Sequence, residues 1–510
     1  MTAIRQRYER LEAARQPFLD RARDASKLTI PSLLPPDGHS AHSKLYTPFQ
    51  GIGARGVNNL SSKMLLALLP PNSPFFRLTV DDFKLQELAQ EEGARAEVEE
   101  ALSSIERAVM SEIEASSTRI AAFEAIKHLL VAGNVLLYQP DKGGMRVFHL
   151  DRYVMKRDPM GNPLEIVTKE DVSPSALPEE IRELLETSDE DTSQDEPVAL
   201  FTHIIRRDGK WNVTQEVAGI QVPEATGTFP LDKSPWIPLR LSRIDGESYG
   251  RGYVEEYQGD LNSLETLTQA IVEAAAASAK VLFLVRPNGT TRARVLAEAP
   301  NGAIREGDAN DVSTLQVQKS GDMQIAFQSS QEIKERLSFA FLMNSSVQRK
   351  AERVTAEEIR YMASELEDAL GGIYSILSQE FQLPLVNRLL LQMQKQKKVP
   401  QLPKGLVSPT IVTGLEALGR GHDLNKLAAM LDHLAPLGPE AIQKYMNIGD
   451  YITRVGTSLG MDMGGLIKSQ EEMQQEEQQA MMMQTGQQLA PQAFDAMKEQ
   501  MQQQPPQGNE

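Results

Sequence analysis

The sequence predicts an α+β protein that is predominantly α-helical, and three observations carry that prediction. Apolar residues recur at helical spacing up to residue 132 and again after Gly252. Between those regions the chain breaks into short strand-type runs divided by turn-rich sequences. A second compact β-rich stretch then interrupts the later helical region.

Residues 2–28 read as an amphipathic helix with Ile4, Tyr8, Leu11 and Phe18 on one side, kinked at Pro17. A Pro/Gly/Ser-rich connector, Ile30–Pro48, leads to a helix at 52–69 that Pro70-Pro71 stops. Another helical stretch covers 84–132, broken near Glu114–Thr118. Asn134–Gln139, Met145–Leu150, Tyr153–Arg157 and Leu164–Lys169 then have strand character. Glu179–Glu196 holds nine acids and one Arg and reads as an exposed acidic loop with a short helix. Ala199–Arg207 and Lys210–Val217 flank Asp208-Gly209, a two-residue hairpin signal, and Trp236–Leu241 is a further strand.

From Gly252, the positions Val254, Tyr257, Leu261, Leu264, Thr268, Ile271 and Ala275 alternate spacings of three and four. That is a narrow seam of the coiled-coil kind rather than a wide core-facing stripe. Ala274–Ala277 lets a neighbouring helix come close. Val281–Arg286, Val312–Val317 and Met323–Phe327 are expected as strands of a β-rich insertion. A second helix is expected to open at Ser329, with Glu332 at capping-box spacing and Ile333, Leu337 and Phe341 on its apolar side. The short stretch Ser345–Arg353 interrupts it. Thr355 and Glu358 form another capping box, and a helical pattern runs on to about Lys398, with Gly371-Gly372 and Pro384 as expected kinks. Over 356–398 it would be on the order of 65 Å long. Helical pieces resume from about Thr413 to Leu459. From Gln470 there are fourteen Gln and six Met in 41 residues, a composition expected to end in disorder.

Composition bounds the chemistry. The 510 residues give a length prior of three or four domains. With 53 Lys+Arg against 70 Asp+Glu the net charge is −17, which argues against coating nucleic acid through a broad basic surface. Zero Cys excludes disulfides, thiolate nucleophiles, Fe–S clusters and Cys-ligated zinc, and fits a reducing compartment. The longest apolar runs, such as Met64–Leu69 and Val281–Val285, fall far short of the roughly 20 residues of a membrane span. The N-terminus MTAIRQRYERLEAARQ lacks the apolar core of a secretory signal, so a soluble protein without membrane contact is expected.

Two short motifs suggest enzymes. Gly51-Ile52-Gly53-Ala54-Arg55-Gly56 fits the dinucleotide pattern G-x-G-x-x-G, but no strand precedes it and no βαβ unit surrounds it. It reads better as a Gly-rich helix start against which other backbone packs. Gly246-Glu247-Ser248-Tyr249-Gly250 fits G-x-S-x-G, the nucleophile elbow of α/β-hydrolases, with Ser248 as nucleophile. A triad would need His422 or His433, both in a helical region without the alternating strands of a hydrolase sheet. The plainer reading is a Gly-flanked turn from sheet to helix. His39, His42, His128, His149 and His203 show no metal-binding spacing, and H-E-x-x-H and the P-loop pattern do not occur. Neither a cofactor nor a metal is expected. Arg349, Lys350 and Arg353 form a short basic cluster in the interruption between two helices, suited either to local pairing with Glu352 or to touching phosphates without reading bases.

Four blocks carry a family resemblance: ARGVNNLSSKMLLALLPP (54–71), GESYGRGYVEEYQGDLNSLE (246–265), LSFAFLMNSSVQRKAERVTAEEIRYMASELEDALGGIYSILSQEFQLPLV (337–386) and TGLEALGRG (413–421). In them the chain resembles the portal proteins, or head-to-tail connectors, of short-tailed double-stranded DNA bacteriophages, out to about residue 460. The resemblance implies a portal fold forming a ring, usually of twelve subunits, without an active site. It implies a wing at 1–250, a first stem helix at 251–280, a clip at 281–327 and a second stem helix at 328–344. A channel loop at 345–355, a long kinked wing helix at 356–400, a crown at 401–460 and a Gln/Met-rich extension at 461–510 complete it. The implied partners are further copies of the chain, double-stranded DNA passing without sequence specificity, the terminase large subunit, scaffolding and major capsid proteins, a tail adaptor and internal head proteins. The implied place is the portal vertex of the virion, after assembly in the host cytoplasm. Arg349, Lys350 and Arg353 would make weak phosphate contacts, while Glu265 and Glu273 would line the channel as rings of carboxylates and repel the duplex. The competing readings are a serine hydrolase using Ser248, or a helical scaffolding or adaptor protein that closes no ring.

Overall fold

The structure is a computed structural model. It describes residues 3–411 apart from 41, 72–73, 81–93, 178, 180, 183–196, 279–281, 316–319, 344–369 and 403–406. Beyond 411 it describes 429–434, 436, 438, 448–449, 451–452 and 455. The chain divides into two compact units, Met1–Ala417 and Leu418–Glu510. In the second, residues 429–434 are helical; the rest of the expected Thr413–Leu459 helices, and the Gln/Met-rich tail, fall mostly or wholly outside the described residues.

In the first unit, α1 (Ile4–Leu28) continues through Pro17, and α2 (Ile52–Leu68) stops just before Pro70-Pro71. β1 (Phe76–Val80) precedes α3 (Ala94–Ala115) and α4 (Thr118–Ala132), which are separated at Ser116-Ser117 as the sequence predicts. α4 ends at Gly133 in the left-handed region, with φ 72° and its amide on the Leu129 carbonyl.

The strand region forms two antiparallel sheets. β3 (Arg146–Phe148), β2 (Asn134–Tyr138) and β9 (Trp236–Arg240) make the smaller one, in that spatial order. The larger is a five-stranded meander of β4 (Tyr153–Arg157), β5 (Pro163–Val172), β6 (Val198–Arg207), β7 (Lys210–Val217) and β8 (Ile220–Pro230). Asp208-Gly209 joins β6 to β7 with both φ positive, as a two-residue hairpin turn requires. Ala218-Gly219 repeats that geometry between β7 and β8. This second hairpin carries no clear signal in the sequence, because Ala is not a residue that favours a positive φ.

α1 packs against the five-stranded sheet. Its first amides are capped from the sheet: the Glu216 carboxylate accepts from Ile4 N at 2.6 Å and Arg5 N at 3.3 Å. Arg7 donates to Glu165, which His203 also meets at 2.8 Å. Burial opposes ionisation of Glu165, but the Arg7 and His203 hydrogen bonds outweigh it and hold its carboxyl down at about 2. Buried Arg15 donates to the carbonyls of Leu150 and Asp151.

Then come α5 (Tyr253–Glu256) and α6 (Gln258–Ser278), followed by β10 (Leu282–Val285), α7 (Ala293–Ala297) and β11 (Val312–Leu315); β10 and β11 pair with each other. α8 spans Ser320–Ala340 and packs along α6. The expected strand Met323–Phe327 is therefore corrected to the opening of this helix, which starts nine residues before Ser329. A five-residue alternation is too short to separate strand from helix, and α6 offers that stretch a helix face rather than a strand edge. Residues 370–377 are helical, Ser378–Gln382 form a π-helical turn, and α9 (Leu383–Lys395) continues from it. β12 (Val407–Ile411) pairs antiparallel with β1. One large core joins α2, α3, α4, β2, β9, the facing ends of α6 and α8, and residues 370–393. A second lies between α1 and the sheet strands.

Candidate functional site

The C-terminal end of α8 is the place from which the chain leaves for the basic cluster. Its last carbonyls have no partner within the helix and must find one elsewhere. Tyr253 Oη donates to Ala340 O at 2.9 Å, Asn59 Nδ2 to Phe341 O at 2.9 Å and Leu342 O at 3.0 Å, and Lys63 Nζ to Leu342 O at 2.8 Å. The lysine also supplies the positive charge that a helix C-terminus favours. Leu342 turns the chain with φ 52°. Tyr253, Tyr257 and Phe341 pack ring against ring beside it. Arg349, Lys350 and Arg353 themselves lie outside the described residues, as do Thr355 and Glu358.

The Gly-rich start of α2 belongs to the same junction. A Cβ on Gly56 would stand 2.5 Å from Phe341 Cγ, and one on Gly53 2.5 Å from Leu28 O. The two glycines thus give room to neighbouring elements, as the non-nucleotide reading expected. Asn59 and Lys63, one and two turns further along, were not singled out from the sequence. Their signal is their place on the same helix face as Gly56.

The two acids expected to line a channel fare differently. Glu265 is only 7% exposed, and both its oxygens are used: Oε1 accepts from Tyr46 Oη and from Phe49 N at 2.9 Å, Oε2 from Gln50 N at 3.1 Å. Within the single chain this carboxylate ties the 46–50 segment to α6. Glu273 lies exposed two turns on, where it accepts from Gln269 Nε2 at 2.9 Å.

The G-x-S-x-G segment finishes a sheet edge. Ser248 Oγ accepts from Arg157 N at 3.3 Å and Tyr249 Oη from Met155 N at 2.9 Å, so two side chains take the place of a further strand beside β4. Asn134 bonds both the amide and the carbonyl of Gly250, at 2.7 and 2.8 Å. Gly133 and Gly252 allow the backbones to meet, since a Cβ at either would fall within 2.5 Å of backbone on the other segment. Ser248 is an edge cap, with its oxygen committed to a backbone amide.

A third set of ties fixes α9. Arg388, 1% exposed, donates to Gln139 O at 3.0 Å and Asp141 Oδ1 at 2.6 Å, and Lys395 reaches Asp141 Oδ2 at 3.0 Å. In the π turn, Glu380 Oε1 meets the buried Arg240 at 3.0 Å and the buried Arg157 at 3.7 Å. Burial pulls the Arg157 guanidinium down to about 10, against the opposing pull of Glu380.

This arrangement contains a charged exit from a helix, a capped sheet edge and a braced helix, all of them devices for holding geometry rather than for making or breaking bonds. Comparison with known proteins agrees. The family model for the bacteriophage head to tail connecting protein matches residues 1–467. The portal protein of Escherichia phage T7 is 46% identical over 472 residues, covering 91% of this chain and 88% of that protein. The portal protein of Enterobacteria phage T3 is 45% identical over 471 residues, with the same coverage. Among solved structures, the neck of an empty gene transfer agent particle covers 81% of this chain and 90% of its own, at 12% identity and a TM-score of 0.38. On the match over most of its length, the chain belongs to the bacteriophage head-to-tail connecting proteins.

Proposed function

We propose that copies of this chain close a ring, of twelve subunits, at the unique vertex of the capsid. There the ring nucleates procapsid assembly, docks terminase, conducts double-stranded DNA inward during packaging and outward during ejection, and joins head to tail through an adaptor. As a member of its family the chain is a structural virion component and not an enzyme, and its place is the portal vertex. The observation that carries the reading is the 46% identity to a portal protein over nine-tenths of the chain. The geometry supports it. α6 and α8 make a stem whose apolar seam is buried at Leu261, Leu264, Ile333 and Leu337, while Val272, Ile325 and Phe327 near the other end are exposed. A ring neighbour would cover them.

In this reading Arg349, Lys350 and Arg353 touch phosphates of the passing duplex, exposed Glu273 repels it, and residues 281–327 meet terminase and then adaptor. Few contacts are wanted, because tight phosphate neutralisation would trap moving DNA. Class averages of the purified full chain from negative-stain microscopy test the ring. Closed rings with a central hole are expected; monomers at every concentration, even beside scaffolding protein, would overturn it. Replacing Arg349, Lys350 and Arg353 together by Ala should leave rings intact and impair DNA packaging or retention. Loss of the rings would make those residues structural instead.

A further inference from the structure

The π turn at Ser378–Gln382 has a reason that can be read from spacing. Leu377, Phe381, Leu385 and Leu389 stand four residues apart and all are buried. In an α-helix each such step overshoots a full turn by about 40°, so three steps would swing the stripe by roughly 120° and bring Leu377 out of the core. The wider turn takes up the extra residue, and the stripe stays in line across it. Pro384 stands just beyond, where an α register would set its ring against the Glu380 carbonyl and leave that carbonyl without an amide. Polar ties hold the turn from inside. Glu380 sits against Arg240 and Arg157, on the ends of β9 and β4, and Gln382 Nε2 donates to Leu68 O at 2.6 Å. Downstream, α9 is fixed independently through Arg388 and Asp141. Upstream, Tyr374 Oη reaches Ala67 O at 2.6 Å, and Gly371 and Gly372 have open space where a Cβ would be.

We infer that Glu380, seated between Arg240 and Arg157, is a positioning residue. It keeps the π turn wound and thereby sets the rotational phase of residues 370–377 against α9. If the turn relaxes to α, the upstream helix turns by about 100°, Leu377 leaves the core and Tyr374 loses Ala67. Residues 370–377 are the described helical residues that lead into the turn, so this phase governs how they enter α9. The mechanical claim stands on the described residues alone. Only its consequence for DNA passage rests on the proposed ring.

The chain has no cysteine, so one introduced thiol reports without background. Leu377→Cys reads the upstream phase, and Leu389→Cys in α9 is the control, each in the full chain with modification by a maleimide. In the Glu380→Gln background, modification at 377 should quicken by about tenfold or more while that at 389 stays slow. Equal acceleration at both sites would mean that the variant merely loosens the core, and no acceleration at 377 would mean that Glu380 sets no phase; either overturns the inference. Deleting Gln379, an exposed residue of the turn, is the second variant. Seven residues then separate Leu377 from Leu385, an α-helical interval, so the thiol at 377 should stay protected without the π turn. Exposure there would overturn the phase argument. Ring formation is scored on the same samples, so failure of the proposed function shows separately from failure of the lock.

Discussion

α1 with the sheet it covers differs from the C-terminal half of α6, the N-terminal half of α8 and the β10–β11 insertion in how much bonding capacity one chain satisfies. In the first region even a helix start and a sheet edge are closed by side chains: Glu216 caps α1, and Ser248 and Tyr249 cap β4. In the second, apolar side chains stand in water. Phe283, Leu284, Ile325 and Phe327 are more than half exposed, and Ile304 is 99% exposed. Surface apolar residues are ordinary one at a time, but here they run along one pair of helices and the adjoining ribbon, the surface that the proposed ring would cover. The first region satisfies its bonding within one chain; the second would be completed by a neighbouring copy in the proposed ring.

The sharpest way to break that contrast is to disturb the closed region. Gly133 has φ 72°, and a Cβ there would stand 2.3 Å from the Arg251 carbonyl carbon. Neither backbone can give way, since Asn134 clamps Gly250 and Leu241 N donates to Gly133 O at 2.9 Å. Gly133→Ala should cost ~3 kcal/mol or more. It should be seen as an early unfolding step in urea, with lost amide protection in β2, β9 and 246–252. A cost below ~1 kcal/mol would mean that this region is looser than its bonding suggests.

A smaller effect comes with acid. The Glu165 carboxyl is held at about 2, below its ordinary 4.5, so its contribution is present above pH 4.5 and is lost as pH falls toward 2. With Arg7 partly in water, that contribution is on the order of 2 kcal/mol. Glu165→Gln should lower stability at pH 7 by about that much, and the gap from the parent chain should close between pH 4.5 and 2. Burial and the nearby His149 hold His128 down to about 4, which adds acid sensitivity at higher pH in both proteins and cancels in the comparison. A gap that persists at pH 2 would show that Glu165 acts through packing rather than charge.

Local sequence carries local structure well here. Asp208-Gly209 marks its hairpin to the residue, and the break between α3 and α4 falls within the expected Glu114–Thr118. What escaped depends on distance along the chain. β1 and β12 pair across more than 300 residues, and neither five-residue run carries a turn or a partner nearby. Glu265, expected from the sequence to line a channel, is bonded to the 46–50 segment more than 200 residues away. The positions of Glu380 and Arg388 depend on strands more than 130 residues away. Only the four-residue spacing of Leu377, Phe381, Leu385 and Leu389 hinted at the wide turn. The family blocks led to the family, yet they could not separate a residue that holds the junction, such as Lys63, from one that merely lies in it.

The last prediction concerns the open region and has the smallest effect on the folded chain. Phe283 and Ile325 are 67% exposed, so Phe283→Ser with Ile325→Ser removes only the smaller, covered part of each side chain from a single copy. The stability of the monomer should change by no more than about 1 kcal/mol, about 0.5 for each substitution. If ring neighbours cover these side chains, each subunit interface loses apolar contact, and the same loss recurs at every interface around a closed ring. The double variant should therefore melt like the parent as a monomer while its yield of closed rings falls sharply in negative-stain images. Unchanged ring yield would move the contact surface elsewhere on the chain. A monomer destabilised by more than ~1 kcal/mol would show that these side chains already serve the fold of one copy, and the contrast between the two regions would fail there.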